Sequence, residues 1–341
     1  MTFETPSTAW KDYELIDCGD FCKLERFGKY VTIRPEPKAL WKKSLPDAEW
    51  RRMAHTEFIP GGGFSTAGQQ DSGSWKTLRK MDQQWPIVYQ PLHLTLRMGM
   101  TSFKHVGVFP EQAPNWEFIY SNTRRLVEAC ARPVGLRIPE GSPLGSAPVE
   151  MTHGEPQRVI SSEGRKAEVE RSPVKVLNLF AYTGAASLAA RKAGADVTHL
   201  DSVRQVVTWA RQNMELSRLD GIRWIVEDAL KFVRREARRG NVYQGIMLDP
   251  PAYGHGPDGE KWKLDDCLYE MLCLVGQILA PKDSFLILNL YANGYSSLLA
   301  DTTLRSALNL KKDADIECGE LVLRDSFGKA LPLSVFARLK R

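Results

Sequence analysis

Val174-Lys-Val-Leu-Asn-Leu-Phe-Ala-Tyr-Thr-Gly-Ala-Ala-Ser187 is a β-branched and aliphatic run that ends in a small turn around Gly184. Ser187-Leu-Ala-Ala-Arg-Lys-Ala-Gly194 follows at once with helical character. Strand, tight turn and helix in that order open a doubly wound α/β sheet, whose ligand crevice lies at the carboxyl ends of the strands. The turn Ala181-Tyr-Thr-Gly184 lacks the G-x-G-x-x-G pattern. A pyrophosphate needs several glycines for close backbone approach, so a nicotinamide dinucleotide is disfavoured and a ligand without phosphates fits better.

The units that follow narrow the ligand. Ala195-Asp-Val-Thr-His-Leu-Asp201 reads as a second strand ending in an acid, and an acid in that place can accept hydrogen bonds from both hydroxyls of a ribose. Val203 to Leu216 carries apolar residues near the helical period. Gly221 to Ala229 reads as a third strand with Asp228 at its tip, where a carboxylate can accept the exocyclic amine of an adenine. The next strand runs into Asp249-Pro-Pro-Ala-Tyr253. Taken alone, each aspartate reads better as a helix N-cap or an exposed turn; the ordered set points to a nucleoside site.

The series Asn178-Leu-Phe-Ala-Tyr-Thr-Gly184, Asp201, Asp228 and Asp249-Pro-Pro-Ala-Tyr253 resembles the class I S-adenosylmethionine-dependent methyltransferases. More narrowly, it is similar to the branch holding the 23S rRNA cytosine-C5 and guanine-N7 enzymes and their relatives. In that branch a small β-rich region ends in a Gly-x-Phe-x-(Asp)-Gln-type segment, and this chain has Gly107-Val-Phe-Pro-Glu-Gln112 there. The resemblance spans residues 80–341 and is strongest over 174–297. It implies a Rossmann-like α/β fold with a closing antiparallel strand pair, S-adenosylmethionine as cofactor, and RNA, in particular rRNA, as partner in a cytoplasmic setting. It also implies a cofactor site made of Phe180, Ala181, Tyr182, Thr183, Gly184, Asp201 and Asp228, closed from the N-terminal side by Gln112. Four ordered motifs specify the class and leave the substrate open.

Composition sets wide limits. The chain has 341 residues, 43% hydrophobic and 26% charged, with a net charge of +5, which suits a soluble globular protein and permits a nucleic-acid partner without demanding one. No run of about 18 apolar residues exists, so no membrane-spanning helix is expected. The first residues have no basic segment followed by an apolar one, so no secretory signal is expected. Six cysteines are scattered without zinc-site spacing, so free thiols are expected rather than a metal.

Three regions are read along the chain: a β-rich N-terminal domain over 1–115, a connecting helix and polar insert over 116–173, and the catalytic domain over 174–341. Glu14 to Arg34 reads as a hairpin or small sheet. Residues 60–74 are rich in Gly, Ser and Gln and read as a loop. Trp85–Tyr89 and Leu92–Met98 alternate as half-buried strands do. The insert 137–172 holds Pro139, Pro143, Pro148 and Pro156 among mixed charges and reads as a surface loop or linker. Gly319–Arg324 and Leu333–Leu339 read as the closing antiparallel pair. Monomer and homodimer stay equally open.

Methyl transfer from a sulfonium is an in-line displacement. The protein must align donor and acceptor and exclude water, and alignment alone can supply about 7–11 kcal/mol. Asp249, Pro250 and Tyr253 are the candidate acceptor-side residues. The prolines stiffen the loop, Asp249 can hold an amine, and Tyr253 can stack on a flat group or serve as a core tyrosine. Gly254 to Trp262 reads as a mobile substrate flap, with His255 as a possible base or merely an exposed residue. Gly184 is expected to leave room for a ligand lying over the turn. Cytosine-C5 chemistry in the resembling branch needs a nucleophilic Cys after the next strand, but this chain reads Leu288-Asn-Leu-Tyr-Ala-Asn-Gly-Tyr-Ser296 there. Direct transfer to nitrogen or oxygen without a covalent adduct is therefore expected, with Asn289, Tyr291 and Asn293 lining the acceptor side. Arg97, Lys104, Arg124, Arg125, Arg234, Arg235, Arg238 and Arg239 are phosphate candidates or a solvated face. Two other acceptors fit the same residues, a protein side chain and a small molecule, and a non-catalytic cofactor- or RNA-binding protein is the third alternative.

Overall fold

The computed structural model describes residues 2–61, 72–131, 174–291 and 294–341. The expectations for the insert 137–172, for most of the loop 60–74 and for Asn293 lie outside these residues.

The chain begins with a short strand β1 (Thr2–Glu4) and then builds a five-stranded sheet from β2 (Tyr13–Gly19), β3 (Cys22–Phe27), β4 (Tyr30–Pro35), β5 (Thr56–Pro60) and β6 (Gly73–Thr77), in that spatial order, with helix α1 (Asp47–Met53) between β4 and β5. β4 and β5 run parallel; the other pairs are antiparallel. A separate hairpin, β7 (Gln84–Tyr89) and β8 (Leu94–Gly99), follows. Helix α2 (Ala113–Ala131) closes the N-terminal half.

The second half alternates strand and helix: β9 (Lys175–Leu179), α3 (Ala185–Lys192), β10 (Asp196–Asp201), α4 (Arg204–Leu216), β11 (Ile222–Val226), α5 (Ala229–Arg238) and β12 (Gly245–Leu248). After a small hairpin, β13 (Tyr253–His255) and β14 (Lys261–Lys263), come α6 (Leu264–Ile278), β15 (Phe285–Leu290), α7 (Ser297–Ala307), β16 (Asp315–Arg324) and β17 (Ala330–Lys340). The main sheet has the order β11-β10-β9-β12-β15-β17-β16-β1. β9, β12 and β15 are aliphatic runs buried on nearly every residue, as parallel strands covered by helices on both faces must be. α5 buries Ala229, Phe232 and Val233 on one face and turns its arginines outward, the pattern of a helix lying on such a sheet. β17 runs antiparallel between β15 and β16, with a register shift at Leu321/Val322. The Rossmann-like sheet and its closing pair are thus as expected. β1 adds a strand not foreseen: it pairs parallel with β16, so the first residues complete the edge of the large sheet.

Side chains of α4 and of its C-cap Ser217 hold the β7–β8 hairpin. The β8 backbone N–H groups of Thr95 and Arg97 donate to Ser217 Oγ (3.0 Å) and Asn213 Oδ1 (2.7 Å), and Trp209 Nε1 donates to the Arg97 carbonyl (2.9 Å). An edge strand with unpaired backbone groups is costly unless something covers it, and here a helix of the other half does so. Gly107 lies in the same contact. Its φ is +107°, and a Cβ there would overlap the Trp209 ring and lie 3.0 Å from the Arg97 carbonyl.

Gly107→Ala should therefore cost more than Gly240→Ala, whose φ of +66° is similarly left-handed but whose surroundings are open. Each pays about 1–2 kcal/mol for left-handed backbone, and only Gly107→Ala adds about 1–3 kcal/mol of overpacking. Urea unfolding of the two variants measures the difference; equal losses would mean that the Trp209 contact carries no strain.

Candidate active site

The strand order reverses between β9 and β12, which pair with Leu179 opposite Leu248. The residues just beyond, Phe180–Gly184 and Asp249, open into one cleft, bounded also by Gln112, Asn115, Met247, Ile287 and Asn289. A crevice at such a reversal is where doubly wound sheets bind ligands.

The turn is left-handed at alternate residues, Phe180 (φ 56°), Tyr182 (φ 49°) and Gly184 (φ 89°). For the two aromatic residues this backbone is strained, and the surrounding structure must impose it. Ala181 N donates to the Leu200 carbonyl (3.0 Å), and Tyr182 N to Asp201 Oδ2 (2.9 Å). Thr183 Oγ1 donates to the Gly107 carbonyl (2.6 Å), and Asn213 Nδ2 to the Thr183 carbonyl (2.9 Å). The end of β10, the 107 loop and α4 therefore clamp the turn from different sides. Gly184 N-caps α3 with no side-chain cap bond, and Gly184, Ala185 and Ala186 line the cleft; a helix start of this kind favours a carboxylate.

Three expectations are corrected in detail. Gly184 is needed for a different reason: a Cβ there would lie 3.0 Å from Ala210 Cβ and 3.4 Å from the His199 ring, against the protein behind the turn. Gly254 to Trp262 is the β13–β14 hairpin rather than a loose flap; Trp262 is buried and donates to the Pro251 carbonyl (2.7 Å). The core-tyrosine alternative for Tyr253 fails, since it is 65% exposed.

Neither Asp201 nor Asp228 lines the cleft, though Asp201 bonds the cleft-lining Tyr182. Asp201 accepts from Tyr182 N and, through Oδ1, from Val203 N (2.9 Å), and burial raises its pKa despite these bonds. Asp228 caps α5 by accepting from Lys231 N (2.8 Å), and a Cβ on Gly256 would lie 3.0 Å from its own Cβ, so the hairpin tip sits against it. Pro250 is buried behind Asp249.

Asp249 is half-buried at the floor of the cleft. Asn289 Nδ2 donates to its Oδ1 (2.7 Å), and Gln112 Nε2 makes a long contact to its Oδ2 (3.4 Å). Burial pushes its carboxyl up to about 7; the Asn289 bond opposes the shift and the nearby charge of Glu111 adds to it. Glu111 is itself raised by burial and accepts from Tyr291 Oη. Phe109 packs between Tyr182 and Tyr291, with ring centroids 5.1 and 5.6 Å away. Trp116 lies in the core against Trp10 and Tyr89 and also reaches the cleft. The sequence reading missed Glu111, Asn115 and Arg338. Their signal was only that each is a polar residue within an apolar run or next to a motif.

Most of the candidate phosphate-binding arginines are engaged. Arg234 pairs with Glu270 (2.6 Å), Arg124 with Glu128 (2.7 Å), and Arg239 with Glu236 (3.7 Å). Arg235 bonds Glu227 (2.7 Å), and Arg97 bonds Gln84 (2.9 Å) with its guanidinium 4.4 Å from the Trp209 ring centroid. Among the described residues no group of three or more His, Cys, Asp and Glu is placed to hold a metal ion, and no described helix is long and apolar enough to cross a membrane.

No protein-family model matches the chain. A SAM-dependent methyltransferase from Agrobacterium tumefaciens is similar to it over its whole length: 32% identical, TM-score 0.78, with 100% of this chain and 93% of that one covered. The chain belongs to the S-adenosylmethionine-dependent methyltransferases. A structure from Streptococcus mutans, 13% identical with a TM-score of 0.63 over 97% of this chain and 75% of that one, shares the fold. Ribosomal RNA large subunit methyltransferase I of Aeromonas salmonicida is 31% identical over 150 residues, 42% of this chain and 37% of that protein. Ribosomal RNA large subunit methyltransferase K/L of Shewanella frigidimarina is 33% identical over 118 residues, 33% of this chain and 16% of that protein. These matches span little more than a third of the curated relatives at most. The cleft fits the family's cofactor in its chemistry: a helix start without a side-chain cap suits a carboxylate, and Phe180 and Met247 supply apolar walls.

Since burial raises the Asp249 carboxyl, the folded chain holds a proton there that the unfolded chain loses near 3.8. Stability from this group is present below that value and is lost as the pH rises through about 7. Carbon-13 NMR of labelled aspartate should show one carboxyl titrating near 7, absent in Asp249→Asn. A normal midpoint for every aspartate would refute the burial argument.

Proposed function

We propose that the chain transfers a methyl group from S-adenosylmethionine directly to a nitrogen of an RNA base, with rRNA as the leading substrate. The observation that carries this reading is the position of Asp249. It is a carboxyl at the sheet's reversal point, beside the turn that follows β9, with Asn289 and Gln112 directed at its two oxygens.

When bound, the cofactor supplies an activated methyl on sulfur, so the chain's own task is alignment. In this reading Phe180 to Gly184 and the start of α3 hold the donor's amino-acid end, Asp201 the ribose and Asp228 the adenine, while Gln112 closes the N-terminal side. As a carboxylate, Asp249 accepts an N–H of the acceptor and holds its nitrogen for attack. Pro250 stiffens that loop, and the exposed Tyr253 stacks on the base. A base reaches such a cleft only when unstacked or flipped. The absence of a cysteine from Leu288 to Ser296 supports transfer without a covalent adduct. Residues 1–115 would grip the acceptor and 174–341 carry the donor site. The partial identity to two rRNA methyltransferases supports rRNA. The ion-paired arginines on α5 and at its C-cap favour the second reading, an acceptor in a protein or small molecule.

Labelled methyl should pass from S-adenosylmethionine to deproteinised rRNA from cells lacking this gene. Asp249→Ala should reduce transfer about a hundredfold or more with donor affinity kept within a few-fold. Label confined to tRNA, protein or metabolites would overturn the substrate. For the free enzyme, kcat/KM should rise with pH through about 7 as Asp249 ionises; a flat profile would remove Asp249 from its assigned role.

A further inference from the structure

Arg338 lies on β17, 3% exposed, far in sequence from every motif. Its guanidinium is gripped on all sides. Nη1 and Nη2 pair with the two carboxylate oxygens of Glu4 (2.8 and 2.6 Å), and the rings of Phe336 and Phe118 lie 4.1 and 4.9 Å away. The remaining Nε donates to Asn115 Oδ1 (2.9 Å). Asn115 Nδ2 donates to Gln112 Oε1 (2.7 Å), and Gln112 Nε2 faces Asp249 Oδ2 (3.4 Å). Asn115 and Gln112 are both buried.

We propose that Arg338 is a positioning residue that fixes the polarity of this relay and so directs the Gln112 amide N–H at Asp249. A guanidinium has donors only, and an ionised carboxylate has acceptors only. Between them two primary amides can satisfy every contact in one orientation: Asn115 must accept from Arg338 and donate onward, and Gln112 must then do the same. With the amides turned over, two donors would meet at Asn115 and two acceptors at Asp249, inside a site where unpaired polar groups are expensive. Asn289 fixes the other side in the same sense, accepting from Ser334 Oγ (3.2 Å) and donating to Asp249. Each Asp249 oxygen thus faces one oriented amide N–H, and its remaining lone pairs are left for the acceptor. The relay also gives β1 a purpose: Glu4 anchors the guanidinium from the edge of the sheet. The functional meaning rests on the proposed role of Asp249; the polarity does not.

A stability cycle tests the polarity without any methyl transfer. At pH 8, Asn115→Asp puts an acceptor beside Arg338 and turns Gln112 over, so that its oxygen meets Asp249. Asp249→Asn puts an N–H in that place. Combined, the two exchanges restore a donor for every acceptor. The folded-to-unfolded ratio of the double variant should exceed the product of the single effects at least tenfold. Arg338 itself is read from Asp249→Asn alone: with Arg338→Met and Glu4→Gln added together the two amides are free to turn over, and the cost of Asp249→Asn should fall at least tenfold. Additive singles, or a cost of Asp249→Asn that is unchanged without Arg338, would overturn the proposal. NMR titration supplies a second measurement that needs no unfolding: Asn115→Asp, or Gln112→Leu should the former not fold, should move the Asp249 midpoint upward, and an unmoved midpoint also overturns it. If coupling is present while Asp249→Ala still transfers methyl at full rate, the relay stands and the assigned role of Asp249 falls.

Discussion

Parallel pairing of β9 with β12 is the constraint on which the site depends. With Leu179 opposite Leu248, the backbone that leaves one strand must stand beside the backbone that leaves the other. The strand order reverses at this pair, so the two following helices depart to opposite faces and leave a gap between them. Phe180 to Gly184 fills one lip of that gap and Asp249 the other. Neither lip needs a long loop, and both inherit the rigidity of strands buried on nearly every residue.

That pairing does not complete the site, because the strained turn needs partners to hold it. Two of its left-handed residues are aromatic, and only surrounding contacts keep them so. Asp201 fixes the turn from β10, while Gly107 and Asn213 fix Thr183 from the N-terminal loop and α4. Asn213 and Trp209 also bond β8. One face of α4 therefore serves both the 180–184 turn and the attachment of the N-terminal hairpin, and a shift of that hairpin would be felt at the turn. The same loop continues to Phe109 and Gln112, which line the cleft.

The main sheet was legible in the chain because its signals are local. Each strand is a short aliphatic run, each turn has its small residues, and the aspartates follow at regular places. Asp249 and Gln112 were legible as members of motifs. Arg338, Asn115 and Glu111 were not: a buried arginine on a closing strand looks like any alternating charge until pairing with β15 and packing against α2 bring it to Asn115. The reason for Gly184 was misread for a similar cause. A positive φ can be inferred from a turn, but which way the missing Cβ would point depends on where α4 packs. β1 was invisible because three residues carry no period.

The relay clarifies why a carboxyl with so unfavourable a setting is kept. Burial and Glu111 press Asp249 toward its neutral form, while Asn289 favours the ion. A site built only for stability would place an uncharged group there and turn one of the flanking amides to match it. What an amide cannot do is present acceptors on both atoms. With two oriented N–H groups against it, a carboxylate at this point still has lone pairs directed at a third donor, and the cleft is where that donor would arrive. The structure thus accepts a destabilising group at the reversal point and steadies it with amides whose direction is set from the far edge of the sheet by Glu4 and Arg338. The stiffness of that arrangement matters as much as its charge, since in-line transfer tolerates little misalignment.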